Sequence, residues 1–466
     1  MMTLDYISTR GEAPSLGFCD VLLAGLARDG GLYVPRAWPQ FSKEEIRALR
    51  GKSYQDVAYA VLLPFTNGEI APETFRGMIE EAYATFRHPA VAPLVQTGAN
   101  SFLCELFHGT TLAFKDVAMQ LLARLMDYAL EQRGSRATIV GATSGDTGGA
   151  AIDAFAGRER TDIFILFPHG KVSPVQQRQM TTSTAANVHA LAVNGNFDDC
   201  QNLVKAMFNH GEFRDRVNLS GVNSINWARI MAQIVYYFTS ALALGAPDRA
   251  VSFTVPTGNF GDIFAGYGAK RMGLPIEKLV IASNENDILP RAFKTGRYEM
   301  MGVHATTSPS MDIQISSNFE RLLFEANHRD ASKVKAAMES LKQSGGFEIG
   351  GAALEAMRRE FEAGKASEAD VRATIETVFS RTGYLLDPHS AIGHFVAAQY
   401  EKPTAPMITL ATAHPAKFPA AVKSASGIDP ALPTWLADLM LKEERFEVID
   451  PELSAVEGFV DKHARI

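Results

Sequence analysis

Six times along this chain a short β-rich run ends in a loop heavy in glycine, serine, threonine or asparagine and then passes into a helical stretch. The runs are residues 101–107, 138–142, 162–167, 189–193, 251–255 and 407–412. The loops behind them include His108-Gly-Thr-Thr, Thr143-Ser-Gly-Asp-Thr-Gly-Gly, the stretch around Lys171, Asn194-Gly-Asn-Phe-Asp-Asp, Pro256-Thr-Gly-Asn-Phe-Gly-Asp and Ala413-His-Pro-Ala-Lys. Strands that alternate with helices pair in parallel through crossover helices, so the pattern predicts an α/β fold built on one open sheet or two. In such sheets ligands sit beyond the carboxyl ends of the strands, and these polar loops occupy that edge.

The remaining sequence brackets this pattern. Residues 1–95 carry acid-rich helical pieces (42–49 and 71–86) punctuated by Pro35, Pro39, Pro64, Pro89 and Pro93, and are expected to form an N-terminal domain. Residues 327–382 are rich in Ala, Glu, Lys and Arg without long β-rich runs, which predicts a helical insertion. At 466 residues the chain has room for about three domains of ~150 residues each, and 46% hydrophobic with 21% charged residues marks it as globular, not disordered or fibrous. The 45 Lys and Arg against 52 Asp and Glu give a net charge of −7, which supplies no basic field for nucleic acid. Cys19, Cys104 and Cys200 are odd in number and far apart, with no CxxC pair, so a reducing compartment is expected. The first ten residues lack the basic start and apolar run of a signal peptide, and the most apolar windows, 57–65 and 234–246, fall short of the ~18 residues of a membrane span. The expectation is a cytoplasmic protein with no membrane or nucleic-acid partner.

Several loops are candidates for chemistry. Lys115 opens a helix that is apolar nearly all round (Val117, Ala118, Met119, Leu121, Leu122, Leu125, Met126), so that helix should be buried. A lysine at a buried helix N-terminus is disfavoured as a cation by both the macrodipole and desolvation, and a free amine is what attack on a carbonyl requires. The competing reading is a solvated lysine paired with Asp116. Gly258-Asn259-Phe260-Gly261, between strand and helix, can aim consecutive N–H groups at a phosphate, or be an ordinary turn; it is neither a Walker loop nor a GxGxxG fingerprint. Residues 143–147 present the hydroxyls of Thr143, Ser144 and Thr147 at another helix start, suited to a carboxylate or to an N-cap. Lys171 and Arg229 are candidate phosphate partners, each otherwise a surface residue. No HExxH occurs, His389 and His394 are five apart, and no metal site is expected. Ser332 and Lys335 match SxxK on a solvated face, and no GxSxG elbow is present.

Taken in order, His108-Gly-Thr-Thr-Leu-Ala-Phe before Lys115, Ser144-Gly-Asp-Thr-Gly and the 258–261 loop resemble the fold type II pyridoxal-phosphate enzymes, and more narrowly the longer form of the threonine synthase family. The resemblance extends through Tyr6-Ile-Ser-Thr-Arg-Gly, Gly25-Leu-Ala-Arg-Asp-Gly-Gly-Leu-Tyr-Val-Pro, Asn223-Ser-Ile-Asn-Trp-Ala-Arg, Ser308-Pro-Ser-Met-Asp-Ile, Ser316-Ser-Asn-Phe-Glu-Arg and Thr412-Ala-His-Pro-Ala-Lys-Phe-Pro. It implies two open, twisted, mainly parallel sheets flanked by helices. The implied division is an N-terminal domain (1–95), a smaller α/β domain carrying the Schiff-base lysine (96–240), and a larger one with the phosphate cup and the insertion (241–466). It further implies pyridoxal 5'-phosphate held by Lys115, its phosphate on Gly258, Asn259, Phe260 and Gly261, and the Thr412 hydroxyl facing the pyridine nitrogen. The substrate, a phosphorylated amino acid, would place its carboxylate on residues 143–147 and its phosphate on Lys171, Ser224, Asn226 and Arg229.

Two positions depart from the family pattern. Thr110 stands where proline is common, restoring an N–H and freeing φ. Asp146 stands where many fold type II enzymes have asparagine near the cofactor's ring oxygen, and an aspartate there repels a phenolate unless protonated or turned away. Ser316-Ser-Asn reads equally as a substrate loop or as a helix N-cap. The implied reaction is conversion of O-phospho-L-homoserine and water to L-threonine and phosphate. The alternatives are a phospholyase releasing phosphate, ammonia and a 2-oxo acid, and a catalytically silent protein that binds a phosphorylated amino acid. The sequence leaves the oligomeric state open.

Overall fold

Two parallel sheets take up all six expected β-rich runs. The computed structural model describes residues 4–402 and 404–465. One sheet has six strands in the order Phe361–Lys365, Ile276–Ser283, Val251–Pro256, Met407–Ala411, Ser101–Glu105, Leu94–Gln96; all neighbours are parallel except the last pair. The other has five parallel strands, Glu447–Ile449, Val188–Val193, Thr161–Pro168, Ala137–Ala142 and Leu219–Ser220. Helices cover both faces of a parallel sheet, so its central strands lose the in–out alternation of a half-exposed one. Val251–Pro256 and Thr161–Pro168 accordingly bury every residue.

The sheets do not respect the division expected from the sequence. Ser101–Glu105, from the stretch read as the smaller domain, lies in the six-stranded sheet, while Glu447–Ile449, from the far end of the chain, edges the five-stranded one. Parallel pairing is decided by which backbone edge is free once the crossover helices have packed, and sequence proximity does not enter it. The expected insertion also needs correction. It contains helices Ala331–Ser344, Gly351–Glu360 and Glu368–Thr382, but Phe361–Lys365 between them is the edge strand of the six-stranded sheet. An edge strand pairs through one side of its backbone and tolerates few apolar residues, so Phe-Glu-Ala-Gly-Lys gave no strand signal.

The N-terminal residues join the main core. Tyr6, Trp38 and Phe65 surround Trp227, with ring centroids 5.9, 5.9 and 5.8 Å away. Each aromatic ring removes ~150–250 Å² from water. This cluster fixes the first turn of Trp227–Ala243, a helix buried nearly all round, and with it Arg229. Among the described residues no helix is long and apolar enough to cross a membrane.

Candidate active site

The carboxyl edges of the two sheets meet at Lys115. It is the first residue of Lys115–Gln132, is 7% exposed, and directs Nζ to Asp146 Oδ2 at 3.3 Å across the gap between the sheets. The Phe114 N–H donates to Thr412 O (2.9 Å) and the His414 N–H to Leu112 O (3.0 Å), so the end of Met407–Ala411 is stitched antiparallel to the loop that presents the lysine. Burial pushes the Lys115 ammonium below its ordinary range; Asp146 opposes this, and the nearby positive charges of Lys417 and Arg229 reinforce it. The solvated reading fails on two counts: the amine is buried, and Asp116 accepts instead from Thr111 N and Oγ1 (2.8 and 2.5 Å).

Residues 258–261 form a braced cup whose geometry can accept an anion. Ser316 Oγ donates to Gly258 O (2.6 Å), and Asn318 donates to Asn259 O through both its backbone N–H (3.0 Å) and Nδ2 (2.9 Å). The carbonyls are thereby turned outward. The N–H groups of Gly258, Asn259, Phe260 and Gly261 find no acceptor among the described residues and open the helix Gly261–Arg271. Phe260 sits at φ 65°, held there by packing of its ring on Phe319 and Phe361 (5.5 and 5.9 Å). A Cβ on Gly258 would lie 2.8 Å from Ser310 O, so only glycine lets the chain pass. The Ser316–Asn318 segment is therefore neither an N-cap nor a free loop: its side chains brace the cup, and Asn318 at the start of Phe319–Ala326 makes no capping bond.

Arg229 adds the matching charge. It is 3% exposed; Nη1 donates to Val222 O (3.1 Å) and Nε has no partner. Burial brings the guanidinium down to about 10, and no carboxylate pairs with it among the described residues. A buried guanidinium without an anion, beside a row of unpaired N–H groups, fits one or more phosphates. Ser224 lies close by, its carbonyl 3.7 Å from where a Gly261 Cβ would stand. The loop at residues 143–147 presents the partly exposed side chains of Ser144 and Thr147 at the start of Asp146–Phe155. Gly145, at φ 137°, is needed because a Cβ would meet the Gln176 side chain at 2.4 Å. The Thr412 hydroxyl makes no hydrogen bond among the described residues, while its N–H donates to Ser390 Oγ (3.2 Å).

Three expected ligands stand differently. Asn226 is fully buried as the N-cap of Trp227–Ala243: Oδ1 accepts from Ala228 N (3.0 Å) and Nδ2 donates to Leu22 O (2.9 Å). Its side chain sets the helix that carries Arg229 and is not free for phosphate. Thr143 is likewise committed, its Oγ1 accepting from Gly145 N and, in the first turn of Asp146–Phe155, Gly148 N (both 2.9 Å). Lys171 is exposed in the loop after Thr161–Pro168, and no hydrogen bond or ion pair ties its side chain to the others. Thr110, in place of proline, donates to Asp153 Oδ2 (2.5 Å), so a hydrogen bond replaces the ring's restraint.

Asp146 is where sequence reasoning fell short. Lys417, fully buried, places Nζ 3.0 Å from Asp146 Oδ1, and Gln176 Nε2 donates to the same oxygen at 2.9 Å. Burial alone would favour the protonated acid, but Lys417 and Lys115 hold the carboxyl well below its usual range. Asp146 is thus ionised and neutralised. The signal for Lys417 was present in His414-Pro-Ala-Lys, a cation among apolar residues behind a strand, but its partner lies 271 positions earlier.

Known proteins resemble this chain along nearly its whole length. Residues 5–83 match the family model for the threonine synthase N terminus, 86–409 that of pyridoxal-phosphate dependent enzymes, and 390–460 that of the threonine synthase C-terminal region. A threonine synthase of Pseudomonas aeruginosa is 52% identical over 460 residues, 98% of each chain. The crystal structure of PLP-bound threonine synthase from Brucella melitensis superposes with a TM-score of 0.98 at 70% identity, covering 99% of this chain and 100% of that one. The yeast threonine synthase structure gives 0.94 at 40% identity, with 99% of each chain covered.

Proposed function

The chain belongs to the threonine synthase family, and from that premise we propose which of its residues carry the conversion of O-phospho-L-homoserine and water to L-threonine and phosphate. The supporting observation is the buried Lys115 amine, poised between the two sheet edges with the anion cup and Arg229 beside it. Pyridoxal phosphate, when bound, supplies an electron sink that stabilises negative charge on the carbon bearing the substrate's amino group. Lys115 would hold it through Nζ, the N–H groups of residues 258–261 its phosphate, and the Thr412 hydroxyl its ring nitrogen. A hydroxyl partner leaves that nitrogen largely unprotonated.

Once the substrate's amine has taken its place, Lys115 Nζ is free to move protons. It takes one from the α carbon and one from the β carbon, which lets the γ-phosphate leave. Lys115 returns a proton at the γ carbon, which makes the β carbon electrophilic; water adds there, its surplus proton passing to the released phosphate, and Lys115 returns a proton at the α carbon before threonine departs. Arg229 and Ser224 support the departing phosphate; Ser144 and Thr147 hold the substrate carboxylate. The three free thiols support a cytoplasmic, reducing location.

Incubating the pyridoxal-phosphate-loaded protein with O-phospho-L-homoserine and assaying phosphate, threonine and 2-oxobutyrate together tests this reading. Threonine and phosphate in equal amounts are expected. Phosphate accompanied by 2-oxobutyrate and ammonia would make the protein a lyase, and absence of phosphate release would remove the assignment.

A further inference from the structure

We propose that Lys417 is a positioning residue that keeps Lys115 an unprotonated nucleophile by taking over the charge of Asp146. The proposal rests on the assignment of Lys115 above. Its basis is an unequal contest between two buried lysines for one carboxylate. Lys417 Nζ donates to Thr111 O (2.6 Å) and Gln179 Oε1 (2.9 Å) and forms an ion pair with Asp146 Oδ1 (3.0 Å), so two ammonium hydrogens have acceptors and the charge is paired. Lys115 Nζ has a single polar partner among the described residues, Asp146 Oδ2 at 3.3 Å, an oxygen it shares with Ser310 Oγ at 3.4 Å. A buried ammonium is tolerated when its hydrogens are satisfied and its charge is paired. Lys417 has more acceptors and a shorter ion pair than Lys115, and so meets both conditions better. Lys417 therefore neutralises Asp146, which stays ionised, and Lys115 can become a free amine without leaving a bare carboxylate in the interior.

The surrounding charges act at longer range. Arg229, on Trp227–Ala243, also works against a proton on Lys115. Asp262, on the helix behind the cup, faces Lys115, and Asp116, on the lysine's own helix, faces Lys417. His389 acts on Asp146, and His414 feels Lys417. None of them replaces the direct contact at 3.0 Å. The arrangement also accounts for an aspartate where asparagine is common: the carboxylate and Lys417 together form a neutral unit.

Replacing Lys417 by Met keeps the stem and removes the charge. Asp146 is then left with Lys115 as its sole cation, and Lys115 should hold its proton to higher pH. The measurement is the pH dependence of covalent capture of pyridoxal phosphate by the apoenzyme. The Lys115 nitrogen bonds to the aldehyde carbon and the carbonyl oxygen leaves as water; borohydride fixes the adduct and mass spectrometry locates it. The midpoint in Lys417→Met should rise by about one unit or more, a roughly tenfold slower capture at any pH below both midpoints. Lys417→Arg should stay near the parent. The double variant Lys417→Met with Asp146→Asn should return toward it, a rescue that a merely structural role of Lys417 would not produce.

A midpoint that does not move in Lys417→Met, including a uniform loss at every pH, would overturn the proposal. If Lys417→Met does not fold, Asp146→Asn with Lys417 intact decides: its midpoint should fall, and an unmoved one would refute the idea. Failure of the parent protein to capture the aldehyde at Lys115 would instead refute the assignment of that lysine.

Discussion

Single residues at this site are defined by what they lack as much as by what they touch. Among the described residues, Lys115 has one long polar contact, Arg229 has no carboxylate partner, and the Thr412 hydroxyl makes no hydrogen bond. Lys115→Ala should remove the borohydride-stable adduct and lower kcat by about 10³-fold or more, with the thermal midpoint of the apoprotein retained; mass spectrometry and calorimetry check both. Arg229→Met carries a sign that separates binding from folding. Losing a charge-assisted contact should cost about 1.5–3 kcal/mol of phosphate binding, a roughly tenfold to hundredfold drop in kcat/KM. The ligand-free protein should be equally or more thermostable, because an uncompensated buried charge has been replaced by an apolar side chain. A large fall in the apoprotein's midpoint would mean that Arg229 is structural. At this scale the sequence named Lys115, because a cation opening an apolar run is visible locally, and offered Arg229 as a phosphate partner or a surface residue. It left a carboxylate site and an N-cap open for residues 143–147 and did not show that Asn226 is a cap, since capping is a matter of where a side chain turns.

At the scale of elements, loops do the positioning and neighbouring segments hold the loops. The loop before Lys115 is pinned by Asp116 to Thr111, by Asp153 to Thr110, and by Lys417 and Gln179 to Thr111 O. The cup depends on Ser316 and Asn318 in the same way. Ser316→Ala frees Gly258 O and should weaken binding of pyridoxal phosphate to the apoenzyme by about 0.5–1.5 kcal/mol, up to roughly tenfold in Kd by spectroscopic titration. Unchanged affinity would remove Ser316 from the cup. The loops were legible because glycine and hydroxyl residues behind a β-rich run have few other uses. Their braces were not, because Ser316 lies 58 positions from the carbonyl it holds.

The whole molecule carries buried acids that pull its stability in opposite directions with pH. Burial raises Asp116, in the lysine helix, and Asp262, bonded to the Tyr236 and Tyr237 hydroxyls, from 3.8 to about 7. A raised acid binds its proton more tightly when folded, so its contribution is complete below 3.8 and is lost as pH climbs to about 7. Asp146 is lowered, so its contribution is present above 3.8 and is lost as pH falls. The apoprotein's thermal midpoint should therefore decline between about pH 5 and 7, by up to roughly 1.4 kcal/mol per unit for each raised acid. Asp262→Asn, which still accepts from both tyrosines, should flatten that decline, and scans at fixed ionic strength across this range check it.

The sequence by itself determined the alternation of strand and helix, the loops on the carboxyl edge, the family, and a lysine at the start of a buried helix. Each of these is written in periodicity or in a contiguous motif. Tertiary structure alone decided that Ser101–Glu105 and Glu447–Ile449 exchange sheets, that Phe361–Lys365 is a strand, and that Asp146 is neutralised by Lys417. Those outcomes depend on free backbone edges and on charges meeting across the gap between two sheets, and neither leaves a local pattern in the chain.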